Sequence, residues 1–287
     1  MARREEVLRG ELRQLGRVVV AFSGGADSSY LAWAATSELG VGAVLCVTAV
    51  SPSLASSERC DAGALAAEWG LRWLEVSTDE LSDPAYVAND SQRCRHCKSS
   101  LMAALLPLAA SERATVVLGV NLDDLAPEEH RPGQAAASEL GAVFPLALAG
   151  FTKDEVRAAS RRAGLRTWDK PAAACLASRV PYGTPVTLGV LSAVERAEAS
   201  LRALGFAELR VRHYGRVARI EVPVAELGRV IEERSAVVGA VRAAGYGYVT
   251  LDLEGLRSGN LNEALPEALD HPGGPPHPDG PDGPQQE

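Results

Sequence analysis

The chain has 287 residues, 46% of them hydrophobic and 23% charged, with a formal net charge of −8. This length suits one large domain or two modest ones, the composition is that of an ordinary globular protein, and the sign of the charge argues against a broad basic nucleic-acid surface. No run of about 18 apolar residues is present to span a membrane. The charged start Met1-Ala2-Arg3-Arg4-Glu5-Glu6 lacks the apolar core of a signal peptide, so a cytoplasmic protein is expected.

In chain order, residues 18–22 form an apolar, β-branched strand that ends in Ser23-Gly24-Gly25-Ala26-Asp27-Ser28-Ser29, with a helical pattern over 30–39. Further strands are expected at 43–50, 72–76 and 115–120, alternating with helices at 56–70, 94–110 and 134–140. Such alternation predicts an α/β fold with a parallel sheet, and ligands then bind at the carboxyl ends of strands. Ser23 and Asn121 both lie at such ends. A helix over 152–164 carries Thr152 and Glu155 at capping-box spacing, and Gly164 ends it. Pro171, Pro181 and Pro185 then keep regular elements out of a long loop over 166–187. Beyond it, a helix at 189–204, strands at 209–213 and 218–222 around Gly215, a helix at 225–243 and a strand at 248–253 predict a small α+β domain with a mixed or antiparallel sheet. The expected division is 1–165, a cysteine-bearing loop at 166–188, a small domain at 189–260 and a disordered Pro/Gly-rich tail at 266–287. His271 and His277 in that tail read as solvated.

Strand, glycine turn and helix N-terminus make an anion site. Gly24 and Gly25 let the backbone approach a ligand, and Ser23, Ser28 and Ser29 add hydroxyls. The lysine of the Walker motif is missing. Asp27 either holds Mg²⁺ or caps the helix, two compatible roles. Asn121-Leu122-Asp123-Asp124 places two carboxylates beside the expected polyphosphate, and Arg131 adds a cation.

Five cysteines, Cys46, Cys60, Cys94, Cys97 and Cys175, are an odd number and do not read as a disulfide framework. Cys46 sits in an apolar strand and reads as a small buried hydrophobe. Cys60 carries no signal. Cys94 and Cys97 form a C-x-x-C beside Arg93, Arg95, His96 and Lys98, cations that should lower thiol pKa values. A zinc site would need two more ligands. An iron–sulfur cluster can take Cys94, Cys97 and one distant cysteine. Cys175 lies in the long loop between Lys170 and Arg179, which can stabilise a thiolate or hold an anion. Arg210 and Arg212 share one strand face and suit a phosphate. Glu195 and Glu198 share a helix face, where surface charge is the default reading.

The Ser-Gly-Gly-x-Asp-Ser loop resembles the PP-loop of the N-type ATP pyrophosphatases. Together with Asn121-Leu122-Asp123-Asp124, the segment Trp168-Asp169-Lys170-Pro171-Ala172-Ala173-Ala174-Cys175-Leu176-Ala177-Ser178-Arg179, and Arg210-Val211-Arg212, the chain resembles the LarE family of ATP-dependent sulfur transferases in nickel-pincer nucleotide cofactor biosynthesis. The resemblance covers about residues 10–255. It implies a PP-loop ATP pyrophosphatase domain, adenylation by Mg²⁺ and ATP of a carboxylate of pyridinium-3,5-biscarboxylic acid mononucleotide, and conversion to a thiocarboxylate. It assigns Ser23, Gly24, Gly25, Asp27, Ser28, Asn121 and Asp124 to ATP, and Ser178, Arg179, Arg210 and Arg212 to the substrate phosphate. Two sulfur sources are implied: Cys175 itself, or a 4Fe–4S cluster on Cys94, Cys97 and Cys175, and the presence of all three cysteines favours the cluster, with Cys175 then a ligand and not a consumed donor. It also implies a homo-oligomer acting on a small nucleotide, with neither nucleic acid nor membrane as partner. The connection from Leu125 to His130 departs from the family pattern, with Glu128 or Glu129 standing for an acidic residue there. Alternative readings are a tRNA-thiolating PP-loop enzyme, an amidating synthetase of the NAD, GMP or asparagine type, and a non-catalytic nucleotide-binding module. The negative net charge disfavours the first, the cysteine loop disfavours the second, and pyrophosphate production would rule out the third.

Overall fold

The computed structural model describes residues 2–126 and 132–257. Its first sheet joins β1 (Val18–Ala21), β2 (Val44–Val50), β3 (Trp73–Ser77) and β4 (Thr115–Leu118) in the order β3-β2-β1-β4, every pair parallel. Side chains alternate along β1: Val18 and Val20 enter one core with Leu31 and Leu65, and Val19 enters another with Met102 and Leu105. Burial on both faces explains why these strands are continuous apolar runs.

The covering helices are α1 (Ala2–Leu15), α2 (Ala26–Leu39), α3 (Ser56–Glu68), α4 (Pro84–Ala88), α5 (Arg93–Glu112), α6 (Pro132–Glu139), α7 (Pro145–Leu148) and α8 (Lys153–Arg162). Three of them, α1, α4 and α7, are absent from the sequence expectation. Helix α1 buries only Leu8 and Leu12, one turn apart, beneath a charged surface, so its apolar signal is thin. Helices α4 and α7 are single turns started by prolines. The capping box of α8 is present, with Thr152 and Glu155 bonded reciprocally.

The second sheet is mixed, as the element order predicts. Strand β5 (Arg210–Tyr214) runs antiparallel to β6 (Val217–Glu221), which pairs in parallel with β7 (Tyr248–Leu251). Helix α9 (Leu188–Ala203) precedes it. The helix expected over 225–243 is divided into α10 (Leu227–Glu232) and α11 (Arg234–Ala243), with Glu233 at ψ 15 between them. Val230, Val237 and Val241 reach one core from both sides of the break, so their spacing reads as a single helix.

Residues up to Leu256 belong to one compact unit. The long loop is not bare: Leu176–Arg179 forms a 3-10 turn, and Leu176, Ala177, Val180 and Val186 pack with Tyr86, Leu191 and Val194 in a small core of their own. The tail at 266–287 with His271 and His277, and Glu128, Glu129 and Arg131, lie outside the described residues.

Candidate active site

Strand β1 has β2 on one side and β4 on the other, so the carboxyl ends of β1 and β4 flank the point where strand order reverses. The glycine loop sits there. Gly24 takes φ +71, open to glycine at little cost, and an added Cβ would stand 3.2 Å from Ala62 Cα of α3. Gly25 has φ −77 and is the N-cap of α2, with no side-chain cap. Asp27 is therefore inside the first turn and does not cap the helix, which corrects that part of the expectation. The Ser23 and Ser28 hydroxyls stand 3.0 Å apart, and Ser28 Oγ donates to Gly25 O at 3.2 Å. Ser29 is instead fully buried, with its Oγ covered, so it adds no hydroxyl to the loop surface.

The exit of β4 presses on this loop. A Cβ at Gly119 would stand 2.7 Å from Ser28 N and 2.8 Å from Asp27 C, so only glycine fits. Two residues on, buried Asn121 donates from Nδ2 to Asp27 Oδ1 at 3.1 Å. Its Oδ1 accepts from the backbone N–H groups of Asp123 and Asp124, and its own N–H donates to Asp124 Oδ2. Burial raises the Asp27 pKa, and Asp124 adds to the rise. The Asn121 bond, Lys153 and Arg157 oppose it. Two neighbouring carboxylates beside a phosphate loop have the donor chemistry of a Mg²⁺ site, which usually takes one or two carboxylates plus substrate phosphates. Lys153 and Arg157, one turn apart on α8, are cations at this site that the sequence reading missed. Their signal was the i, i+4 spacing behind the capping box.

Lys170 does not serve the cysteine as a free cation. Its Nζ donates to Gly24 O at 3.1 Å, Asp61 Oδ2 at 2.6 Å and Glu58 Oε2 at 2.8 Å. Burial works against its charge, but the two carboxylates of α3 raise its pKa overall. Arg166 grips the same helix through Asp61 and Glu68. Residues 171–175 are then exposed, and Leu176 N anchors the chain again on Ser53 O at 2.8 Å.

Cys175 is exposed at the mouth of a tightly held turn. Arg179 Nη1 donates to Ala174 O and Cys175 O, and its fork pairs with Glu198. Arg212 Nη1 donates to Ser178 O at 2.7 Å while its Nε and Nη2 pair with buried Glu221. Glu198 is 1% exposed and bonds Arg179, Arg202 and Val211 N, so it is a buried counter-charge and not the surface charge expected. Glu195 accepts from Ser56 N. The structure thus brings Ser178, Arg179 and Arg212 together by Cys175 and uses much of their bonding capacity to hold the turn. Arg210 joins them: burial lowers its pKa, and Arg212 and Arg179 lower it further.

Asn89 also serves this turn, and the sequence reading missed it. It is fully buried at φ 57, its Nδ2 donates to the carbonyls of Val180, Pro181 and Thr184, and its Oδ1 accepts from buried Arg93. Arg93 Nη1 donates onward to Ala177 O at 2.8 Å. An αL asparagine after a proline-started turn is a weak signal, because every partner is remote in sequence.

Cys94 is exposed on α5, and Cys97 one turn on is largely covered. Burial pushes the Cys97 thiol up to about 12, and the opposing effect of Lys98 is smaller. This reverses the lowering expected there, because desolvation of a thiolate outweighs one nearby cation. Cys175 is close enough to act electrostatically on Cys97, Arg93 and Tyr86. Among the described residues, no three His, Cys, Asp or Glu side chains are gathered to hold a metal ion.

The parallel sheet, its reversal point and the glycine loop there define the PP-loop ATP pyrophosphatase class. No protein-family model matches the chain. It is 44% identical over 263 residues (91% of this chain, 97% of the relative) to an uncharacterised protein of Synechocystis sp.. It is 37% identical over 269 residues (93% and 97%) to the pyridinium-3,5-bisthiocarboxylic acid mononucleotide synthase of Lactiplantibacillus plantarum. It is 25% identical over 243 residues (84% and 91%) to an uncharacterised protein of Methanocaldococcus jannaschii. The chain belongs to the LarE family, as that synthase does.

Proposed function

We propose that this protein is an ATP-dependent sulfur transferase that converts a carboxylate of pyridinium-3,5-biscarboxylic acid mononucleotide to a thiocarboxylate. A carboxylate oxygen is a poor leaving group. Its attack on the α-phosphorus of ATP releases pyrophosphate and makes the oxygen part of AMP, which leaves readily. The Ser23–Ser28 loop at the N-terminus of α2 receives the phosphates through backbone N–H groups and hydroxyls. Asp27 and Asp124 would hold Mg²⁺, which neutralises phosphate charge when bound. Lys153 and Arg157 offset the charge of Asp27. Ser178, Arg179, Arg210 and Arg212 are the residues proposed to meet the substrate phosphate, with Arg179 and Arg212 held in place by Glu198 and Glu221.

One observation carries the sulfur step: an exposed Cys175 on a mount whose neighbours, Leu176 to Val180, are almost wholly buried and bonded. Its sulfur attacks the acyl-adenylate carbonyl carbon and AMP departs. Loss of the Cys175 α-proton and cleavage of its Cβ–Sγ bond then leave the thiocarboxylate on the substrate and dehydroalanine at position 175. Delivery from a cluster on Cys94, Cys97 and Cys175 is the second sulfur source the family offers.

Purified protein with ATP, Mg²⁺ and the dicarboxylate nucleotide should yield AMP, pyrophosphate and thiocarboxylate. Absence of substrate-dependent pyrophosphate overturns the reading. Intact mass after turnover and the visible spectrum of anaerobically prepared protein separate the sulfur sources. Loss of the elements of hydrogen sulfide at Cys175 marks the sacrificial route, and thiolate-to-iron absorption the cluster.

A further inference from the structure

We propose that Lys170 is a positioning residue that ties the ATP loop to the Cys175 arch, so that filling the first changes the exposure of the second. The inference rests on the reading of the Ser23–Ser28 loop as the ATP site.

Three observations carry it. First, the ammonium bonds Gly24 O, Asp61 and Glu58 at once, which uses all three of its donors. Gly24 is the positive-φ residue of the loop and leans on Ala62, beside Asp61 on α3. The phosphate loop, one face of α3 and residue 170 thus share one knot. Second, the chain between this knot and the anchor of Leu176 N on Ser53 O is only Pro171, Ala172, Ala173, Ala174 and Cys175. All five are exposed. Five residues span at most roughly 18 Å, so the segment that carries Cys175 is a short connection between two fixed points, one of which is Lys170. Third, the far end cannot absorb a shift at Lys170. Leu176 and Ala177 are buried, and Arg179 fixes Ala174 O and Cys175 O from below. A phosphate entering the loop engages backbone groups next to Gly24, and the change in its carbonyl reaches the arch through one hydrogen bond.

The test uses the full-length protein, Lys170→Met and Lys170→Arg. Each is treated with iodoacetamide, and alkylation of the Cys175 peptide is timed by mass spectrometry with and without Mg²⁺ and α,β-methylene-ATP. Binding of that analogue is measured separately by calorimetry. The expected wild-type result is a change in the Cys175 rate of roughly fivefold or more, the usual scale of coupling between two sites. Lys170→Met should bring the ratio close to one while still binding the analogue, and Lys170→Arg should keep part of it. Analogue affinity is also compared between unmodified and Cys175-alkylated unmutated chain, where a shift in Kd is expected, a readout that does not depend on the variants folding. A wild-type ratio of one, or a Lys170→Met ratio equal to the wild type, overturns the proposal. Failure of the wild type to bind the analogue overturns the ATP reading as well, whereas binding without coupling overturns this inference alone.

Discussion

Asp27 is a carboxylate kept where its charge is costly. Burial and Asp124 raise its pKa above the unfolded value. A group with a raised folded pKa contributes stability below its unfolded pKa, and that contribution is lost as pH rises through the folded pKa. At neutral pH the ionised carboxylate is therefore a liability, retained for what it binds. Asp27→Asn should accept the Asn121 hydrogen bond, raise Tm at pH 7 and lose Mg²⁺-dependent pyrophosphate release. Thermal scans from pH 4 to 8 should show the difference from wild type growing with pH. A variant less stable than wild type at pH 7 would contradict this account. Glu221 is fully buried and pairs with Arg212 and Arg219. Glu221→Ala strands the Arg212 guanidinium, and loss of one partner of a buried pair costs about 3–5 kcal/mol. Urea unfolding measures it, and a loss below about 1 kcal/mol would mean that water or a neighbour takes over the charge. Residues whose partners are near in sequence were legible: Ser23, Gly25 and Ser28 bond one another within a six-residue motif. Lys170 was misread because its partners Gly24 and Asp61 lie 146 and 109 residues away, and Glu198 because Arg179 and Val211 reach it from separate elements 19 and 13 residues away, which a single sequence does not bring together.

Among the elements, strands and long helices followed their apolar periods to within a residue or two, except α2, which starts at Ala26, four residues before its expected start. The division of α10 from α11 did not, because the core face continues across it. The long loop teaches more. Three prolines correctly excluded a continuous helix or strand, but Leu176, Val180 and Val186 had no period to mark them as a core. Their cohesion depends on Asn89, whose amide closes the 180–184 segment and whose backbone O accepts from Gly183 N. Asn89→Ala leaves buried carbonyls without their donor and forces a non-glycine, non-asparagine residue into αL. The expected cost is about 3 kcal/mol, given a penalty of 1–3 kcal/mol for each stranded polar group. Amide hydrogen exchange should localise it, with Gly183 and Val186 losing protection first and β1 last. Uniform loss of protection would show that the turn and the sheet open together.

At the scale of the whole molecule, ligand sites at the end of the central strands should share the stability of those strands. Cys46 reports on them. It lies in β2, paired with Val20 of β1 and Trp73 of β3, is 0% exposed, and burial pushes its thiol up to about 12. Cys60 on α3 is exposed and reacts as a reference. A thiol reagent then reaches Cys46 only when the sheet opens, so its rate follows the global unfolding equilibrium when closing outpaces labelling. The proposed ATP loop exists only while β1, β4 and α2 are assembled, because Gly119 must lie against Ser28. Binding of Mg²⁺ and α,β-methylene-ATP should therefore slow Cys46 labelling by the factor 1 + [L]/Kd, about 100-fold at 100 times Kd, while Cys60 is unaffected by unfolding control. A Cys46 rate indifferent to saturating analogue would mean that the sheet opens around an intact ATP loop. The close contact of Gly119 with Ser28 leaves little room for that.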